Sequence, residues 1–138
     1  MERIVAIISK LSHSLAEMEE LAREHYDLKD LTTVQMHYLE IISKLTNPNV
    51  TELATDMQLS KPTVTVAIDK LIGKGFVCKV QSDEDRRSSH LHLTKKGMSI
   101  NQMHEHAHNK FAELMQESLE ESELDQLTIL LEKLTTKL

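Results

Sequence analysis

The sequence predicts a mostly α-helical fold with a single β-hairpin. Only three glycines and two prolines occur among 138 residues, and aromatic residues make up 3% of the chain. Little turn chemistry is therefore available for a multi-stranded sheet. Apolar residues recur at spacings of three and four near both ends, which is the period of amphipathic helices. Two short strand-like segments flank a charged stretch in the middle.

The composition excludes several classes of protein. A chain of this length forms about one compact domain, and 40% hydrophobic with 28% charged residues is typical of a globular protein. No apolar run approaches the ~20 residues that span a bilayer, so no membrane partner is expected. The start, MERIVAIISK, lacks the features of a secretory signal. Cys78 alone allows no intrachain disulfide, which fits a cytoplasmic protein.

The first two helices follow from apolar spacing and capping. A helix over about residues 2–26 carries an apolar stripe formed by Ile4, Ile8, Leu11, Leu15, Met18 and Leu21. Thr32 with Gln35 three residues later forms a capping box that opens a second helix. This helix runs to about Leu45, before Asn47-Pro48-Asn49 stops it.

The third and fourth helices form a helix-turn-helix. Thr51 is expected to cap a short helix, TELATDM. Ser60 caps the fourth, where Pro62 is tolerated in the first turn, and Gly73 with Gly75 ends it. Only about three residues separate these two helices, which predicts a helix-turn-helix connection.

A charged hairpin and two further helices complete the chain. FVCKVQS and SSHLHLT flank DEDRR, which predicts a two-stranded wing with a charged tip. From Thr94 a long helix runs through about Leu119, and Ser122 opens a last helix. Leucines follow a three-four spacing along that helix at Leu124, Leu127, Leu131, Leu134 and Leu138.

The two terminal helices predict a homodimer. Each has an apolar seam that a small domain between them cannot fully cover, and each buried Leu or Ile is worth roughly 1.5–3 kcal/mol. Pairing with the same helices of a second chain would bury both seams, although folding back onto their own chain is the alternative. The expected interface residues are Ile4, Ile8, Leu11, Leu15, Leu124, Leu127, Leu131 and Leu134.

Charge is distributed unevenly. Residues 60–97 hold eight basic and four acidic side chains, a net charge of +4, whereas residues 1–59 and 98–138 each carry a net charge of −5. Local potential is what a polyanion meets, because fields fade within a Debye length of ~8–10 Å. The basic segment therefore favours a nucleic-acid partner, although a solvated helix and hairpin would explain the same charges.

The fourth helix has the chemistry of a DNA-recognition helix. Val64, Ala67, Ile68 and Leu71 share one face and are expected to pack inward. The outward start offers hydroxyls for phosphates or base edges and a Val66 methyl for thymine. At the tip of the wing, Asp85 can orient Arg86 toward a minor groove, and Arg87 can contact phosphate. The DNA-contacting residues are expected to be Ser60, Lys61, Pro62, Thr63, Thr65, Val66, Lys70, Asp85, Arg86 and Arg87.

VTELATDMQLSKPTVTVAIDKLIGKGFV and SDEDRRSSHLHLTKKG together resemble the MarR family of winged-helix transcriptional regulators, over about residues 34–138. The resemblance implies a homodimer with intertwined terminal helices, helix four in the major groove, Asp85-Arg86 at the wing tip and an inverted-repeat operator on double-stranded DNA. Residues 31–97 would be the DNA-binding domain, and 1–30 with 98–138 the helical dimerisation region. The position of Val66 often holds arginine in this family, which shifts base reading toward Lys61, Pro62 and the two threonines.

Within the family, QMHYLEIISK and DEDRRSSHLHLTKKG are similar to repressors of fatty-acid biosynthesis. That similarity implies control of lipid-synthesis genes, with an acyl chain on acyl-carrier protein as corepressor. Another apolar ligand is equally compatible, because methionine-rich linings suit many. The expected effector pocket comprises Met36, His37, Ile41, His104 and His108.

Histidines offer a second possibility. His104 and His108 lie at i and i+4, a spacing that can place two imidazoles on zinc or another divalent metal, and His37 could add a third. Zinc-sensing members of the family have a glutamate before the matching histidine, where this chain has Met36. A fourth ligand would have to come from His13, His25 or Glu105. Histidines near the effector pocket without any metal are the alternative, and no cofactor is otherwise expected.

No catalytic arrangement is evident, because the chain has neither a Gly-rich phosphate loop nor G-x-S-x-G. An enzyme is therefore rejected. Three hypotheses remain: a dimeric ligand-gated DNA-binding repressor, a metal-dependent version of that regulator, and a helical protein-interaction dimer that does not bind DNA.

Overall fold

The computed structural model describes residues 1–84 and 87–138, and these form six helices and one antiparallel hairpin. In chain order the elements are α1 (Glu2–His25), α2 (Thr33–Leu45), α3 (Val50–Met57), α4 (Lys61–Gly73), β1 (Val77–Gln81), β2 (Ser89–Leu93), α5 (Lys95–Ser118) and α6 (Glu121–Thr135). This confirms the mostly helical fold with a two-stranded wing. No helix of the described residues is long and apolar enough to cross a bilayer.

The chain divides into two compact units. The helical unit comprises residues Met1–Ala22 and His104–Leu138, and the winged lobe comprises Arg23–Met103. Each long helix, α1 and α5, therefore contributes to both. The sequence placed these boundaries after residues 30 and 97, several residues from those observed.

Local contacts explain where the winged lobe begins and ends. Leu28 and Leu31 are fully buried. The Arg23 guanidinium donates from Nε to the Leu28 carbonyl at 3.1 Å and also donates to the Leu31 carbonyl. Because Ile100 and Met103 are buried as well, the first turns of α5 belong to the lobe.

The winged lobe has a continuous apolar core. Helices α2, α3 and α4 turn their apolar faces inward, and the hairpin contributes from the other side. The fully buried side chains include Leu39, Ile42, Leu53, Val64, Ile68, Leu71, Phe76 and Leu91. Burying each of the large ones is worth roughly 1.5–3 kcal/mol, so packing fixes the orientation of these elements.

Two of the predicted helix starts are confirmed. At α2, Thr32 Oγ1 accepts from the Gln35 N–H at 3.1 Å, and Gln35 Oε1 accepts from the Thr32 N–H at 3.0 Å, which completes the capping box. At α4, the Ser60 hydroxyl accepts from the Thr63 N–H at 3.3 Å. The fourth helix thus begins where its sequence signal placed it.

Two other predicted caps are wrong. Helix α3 is capped by Asn49 rather than Thr51, since Asn49 Oδ1 accepts from the Glu52 N–H at 2.8 Å. Helix α6 begins after Glu120 rather than at Ser122. There a carboxylate one turn into the helix, that of Glu123, accepts from the Glu120 N–H at 2.9 Å. In both cases the helix begins upstream of the expected cap, and a polar side chain accepts from a free amide at its start.

The wing is joined to the rest of the lobe by backbone hydrogen bonds. Its register pairs Val77 with Leu93 and Gln81 with Ser89. The chain leaves α4 through Gly75, whose φ of +83° favours glycine. The Leu91 N–H donates to the Pro48 carbonyl at 2.8 Å, so the loop between α2 and α3 holds the second strand.

Candidate nucleic-acid interface

Helix α4 has one buried and one exposed face. Of the four residues expected to pack inward, Val64, Ile68 and Leu71 are fully buried, and Ala67 is half-buried. The opposite face bears the predicted DNA-contacting residues. Of these, Ser60, Lys61, Pro62, Thr63, Val66 and Lys70 are exposed and Thr65 is half-buried. One surface of one helix therefore presents most of the residues that the sequence singled out.

A tight turn presents the start of α4 to solvent. Helix α3 ends at Gln58, which has a left-handed φ of 55°. The Leu59 N–H then donates back to the Ala54 carbonyl at 3.0 Å. With Ser60 as the next cap, residues 58–60 form the complete connection between the two helices. The geometry is that of a helix-turn-helix.

The first turn of α4 is held by side-chain hydrogen bonds. The hydroxyl oxygens of Ser60 and Thr63 lie 2.8 Å apart, and the same Ser60 oxygen accepts the Thr63 amide. Both hydroxyls thus take part in the cap. The Thr63 methyl takes no part in the cap, and Thr63 is exposed.

A shallow cleft of about 390 Å³ runs along this face of α4. Four residues from the start of α2 and four from α4 line it: Thr32, Val34, Gln35, Tyr38, Thr63, Val66, Ala67 and Lys70. Val34 is 64% exposed and Val66 56% exposed. Burial raises the pKa of Tyr38 above its ordinary value of 10.0, so its phenol stays neutral at physiological pH.

The contribution of α2 to this cleft was not foreseen. Val34 lies off the buried face that Tyr38, Leu39 and Ile42 form. The only signal for this contribution in the sequence was that Val34 lies away from the apolar stripe of its own helix. Large exposed apolar residues are common singly, however, and this one carried no weight by itself.

The basic side chains around α4 have different roles. Lys74 Nζ donates to the Asp30 carbonyl at 2.6 Å and to Gln35 Oε1 at 2.9 Å, which ties the end of α4 to the start of α2. Lys79 of the wing forms an ion pair with Asp69 at 3.7 Å. Lys61 and Lys70 are exposed on the outward face. They are the lysines of α4 best placed to meet a polyanion.

The wing is described up to its tip. The Ser82 N–H donates to the Ser88 carbonyl at 3.0 Å, and Arg87 is exposed. Asp85 and Arg86 lie outside the described residues. The roles assigned to these three tip residues stay predictions.

The histidines expected near an effector are distributed over both units. In the helical unit, the rings of His104 and His108 are nearly parallel, with centroids 6.2 Å apart, and His104 Nδ1 lies 3.7 Å from Glu19 Oε1. In the winged lobe, His37 pairs with Glu40 at 3.7 Å, while Met36 and Ile41 are half-buried. Across residues 1–84 and 87–138, no three His, Cys, Asp or Glu side chains are grouped to hold a metal. The effector and metal assignments stay predictions.

The helical unit leaves its apolar seam uncovered. Ile4 and Ile8 are each 55% exposed and Leu134 is 57% exposed. Among the other predicted interface residues, Leu11 and Leu131 are exposed, and Leu15, Leu124 and Leu127 are half-buried. An apolar cavity of about 370 Å³ opens between α1, α5 and α6, lined by Ile7, Leu11, Phe111, Leu114, Met115, Ser118, Leu119, Leu127 and Leu131.

Comparison with known proteins shows which family the lobe is similar to. A sequence profile of the MarR family matches residues 31–89, the segment that contains the helix-turn-helix and most of the wing. Residues 31–89 of the winged lobe are therefore similar to MarR-family proteins. The lobe also shares its fold with solved members of this group.

Three similar proteins extend this MarR-family comparison. FabT of Streptococcus pneumoniae, solved in complex with DNA, is 27% identical, with TM-score 0.69, over 98% of this chain and 94% of that one. The S. aureus MepR–DNA complex shares the fold, with TM-score 0.75 at 19% identity over 96% and 98% of the two chains. The Bacillus subtilis HTH-type transcriptional regulator YhjH is 30% identical over 94 residues, 68% of this chain and 54% of that protein. The match thus spans about half the length of this curated relative. The two solved structures are complexes with DNA, and the curated relative is named as a transcriptional regulator; none is named as an enzyme, which agrees with the expectation from the sequence.

Proposed function

We propose that this MarR-type chain is a homodimeric DNA-binding transcriptional repressor with α4 in the major groove. The observation that carries the proposal is the exposed face of α4 directly after a tight helix-turn-helix, with Lys61 and Lys70 toward solvent. Such a face offers hydroxyls and cations to phosphates and base edges. Similarity to FabT over nearly the whole chain supports it, since that protein was solved with DNA.

Two copies are required for this function. The helical unit exposes a long apolar seam, and large exposed apolar patches mark interaction sites. A self-complementary seam gives a two-fold dimer, which presents two α4 helices to one duplex. The matching operator has inverted half-sites about one helical turn apart, roughly 34–36 Å.

Two experiments test the proposal. Genomic fragments that the purified protein binds are first selected, and its affinity for them is then measured by fluorescence anisotropy. The purified protein should enrich discrete fragments, and its affinity for them should fall steeply as salt rises, because phosphate neutralisation releases counterions. A scrambled duplex is the matched control. If no duplex is bound even at low salt, the protein is a helical interaction dimer instead.

Arg86→Ala is expected to weaken operator binding by about 1–3 kcal/mol, because the wing arginine would contact the minor groove. The dimer should stay folded by sedimentation and circular dichroism. Arg3→Ala removes an exposed arginine from α1 and serves as the control. Equal operator affinity for the two variants would remove the wing from the mechanism.

We further propose that an acyl or other apolar ligand gates DNA binding and that fatty-acid synthesis genes are the targets. The support is the 27% identity to FabT together with half-buried Met36 and Ile41, whose side chains suit an apolar ligand. A coupling of about 1–3 kcal/mol changes operator affinity roughly 5–150-fold. Titrating carrier protein with and without a long acyl chain tests this, and equal effects of the two forms would contradict it.

A divalent metal such as zinc is the second candidate effector. The observation in its favour is the pair of nearly parallel rings, His104 and His108, on one face of α5. Zinc should then alter operator affinity, and a chelator should reverse the change. His108→Ala would abolish the response, whereas His92→Ala in β2 would not. If operator affinity is insensitive to zinc, this alternative is excluded.

A further inference from the structure

The exposed face of α4 carries an unusual set of chemical groups for a helix that reads DNA. Pro62 and Val66 are apolar and exposed, and Thr63 and Thr65 each carry one methyl. Val66 is 56% exposed at the centre of this face. Methyl groups therefore make up much of what the first two turns of α4 offer to a base edge.

Apart from two lysines, the usual hydrogen-bonding readers are missing from α4. Arginine or lysine recognises guanine with two hydrogen bonds, and asparagine or glutamine recognises adenine in the same way. From Lys61 to Gly73, a segment described in full, no arginine, asparagine or glutamine occurs. Asp69 could accept from cytosine, but it is paired with Lys79 at 3.7 Å. Lys61 and Lys70 are the remaining donors of this kind, and both can be used on phosphates.

The surroundings of Val66 favour an apolar contact. Its side chain forms one wall of the cleft along α4, where Val34 and Tyr38 contribute to the other side. The Thr63 hydroxyl is already hydrogen-bonded to Ser60 at 2.8 Å, which leaves its methyl as the uncommitted group one turn away. In the major groove, the group that matches an apolar wall is the C5-methyl of thymine.

We propose that α4 reads its half-site mainly through thymine methyl groups that contact Val66 and Thr63, so that A·T pairs occupy the positions beneath its first two turns. This inference rests on the proposed DNA-binding function and specifies the bases that it recognises. Base reading then depends on shape and apolar contact, while the lysines supply affinity without sequence preference.

Replacing thymine by deoxyuracil tests the contact, because it removes the methyl and keeps every base-pairing hydrogen bond. The operator is first obtained by selecting bound duplexes from a randomised pool with the full-length protein. Uracil at the thymines beneath α4 is expected to reduce affinity about fourfold for each methyl lost, the effect of one buried CH₂-sized group. Uracil at thymines outside the half-sites is the control and should leave affinity unchanged.

A matched protein variant assigns the effect to Val66. Val66→Ala should bind the thymine operator several-fold more weakly and should no longer distinguish uracil at the position that it contacts. Because Val66 is exposed, the variant should keep the wild-type unfolding midpoint. Replacing that T·A pair with C·G should weaken wild-type binding, and 5-methylcytosine should recover part of the loss because it restores the methyl.

The outcomes separate this inference from the proposed function. If no duplex is enriched, DNA binding itself fails. If duplexes are enriched but uracil binds as tightly as thymine, or the selected half-sites are G·C-rich, the protein is a DNA-binding regulator that reads its operator in another way. Only thymine dependence that disappears in Val66→Ala supports the inference.

Discussion

The winged lobe and the helical unit differ in how much apolar surface a single chain covers. Of the 18 buried apolar residues in the described part of the chain, 16 lie in the lobe, and the helical unit contributes only Ala22 and Ala107. The helical unit nevertheless exposes leucines and isoleucines along α1 and α6. The lobe thus forms its core within one chain, whereas the terminal helices leave an apolar seam that the proposed homodimer would cover.

Leu131→Asp in α6 gives the largest expected effect. A carboxylate in the apolar seam would have to be buried on dimerisation, so we expect monomers. A monomer binds one half-site and loses the avidity of two, which lowers operator affinity by about two to four orders of magnitude. Sedimentation and anisotropy measure the two effects.

Ile129→Asp is the matched control for this change. Ile129 lies on the same helix two residues away, is 64% exposed and does not line the apolar cavity that Leu131 lines. Two residues of a helix differ by about 200°, so the carboxylate would face away from the seam. If Leu131→Asp remains a dimer, the C-terminal helix is not the interface. If both variants become monomers, the interface is not confined to the seam.

In the winged lobe, Phe76→Ala should lower the free energy of unfolding by about 3–5 kcal/mol, because Phe76 is fully buried and leaves a large cavity. Leu11→Ala in α1 is the comparison. For Leu11→Ala, the loss of unfolding free energy should depend on protein concentration, since a second chain would complete the seam. Urea unfolding at several protein concentrations distinguishes the two variants. If the stability lost in Leu11→Ala did not depend on protein concentration, the helical unit would be complete in a single chain.

The sequence predicted the fold well because local signals and packing agree. Thr32 with Gln35, and Ser60 with Pro62, marked helix starts that the structure retains. The caps at Thr51 and Ser122 failed because Asn49 and Glu120, a little upstream, begin those helices instead. Several polar residues near a helix start compete for the same free amides, and only the backbone path decides which one succeeds.

The candidate site could be predicted only in part. The alternation of buried and outward residues on α4 followed from helical spacing, and the structure differs in leaving Ala67 and Thr65 half-buried. The cleft formed with Val34 required knowledge of how two helices pack, which no local pattern contains. The partners of Lys74 were equally hidden, because Asp30 and Gln35 lie about 40 residues earlier in the chain.

Gly97→Ala should destabilise the winged lobe by about 1–3 kcal/mol, an overpacking effect. A Cβ at this position would lie 2.1 Å from the Phe76 carbonyl oxygen, and backbone cannot move aside as a side-chain end can. Gly73→Ala is the control, because a Cβ there meets nothing within 4 Å. That change should be neutral or stabilising by up to about 1 kcal/mol. Equal unfolding midpoints for the two variants would contradict the close approach of α5 to the hairpin.

The smallest effect is an alkaline loss of stability that originates in the lobe. Burial raises the pKa of Tyr38 above 10.0, so the folded state holds this proton more tightly than the unfolded state does. The resulting stabilisation is fully present below pH 10 and is lost as pH rises through the higher folded value. Tyr38→Phe has no such proton, and unfolding of both proteins by urea from pH 8 to 11 isolates the contribution of Tyr38 from that of every other group. The difference in unfolding free energy between the two proteins should stay constant to about pH 10 and then shift in favour of phenylalanine. A constant difference up to pH 11 would mean that Tyr38 is hydrated at the cleft rather than shielded by the packing of α2 against α4.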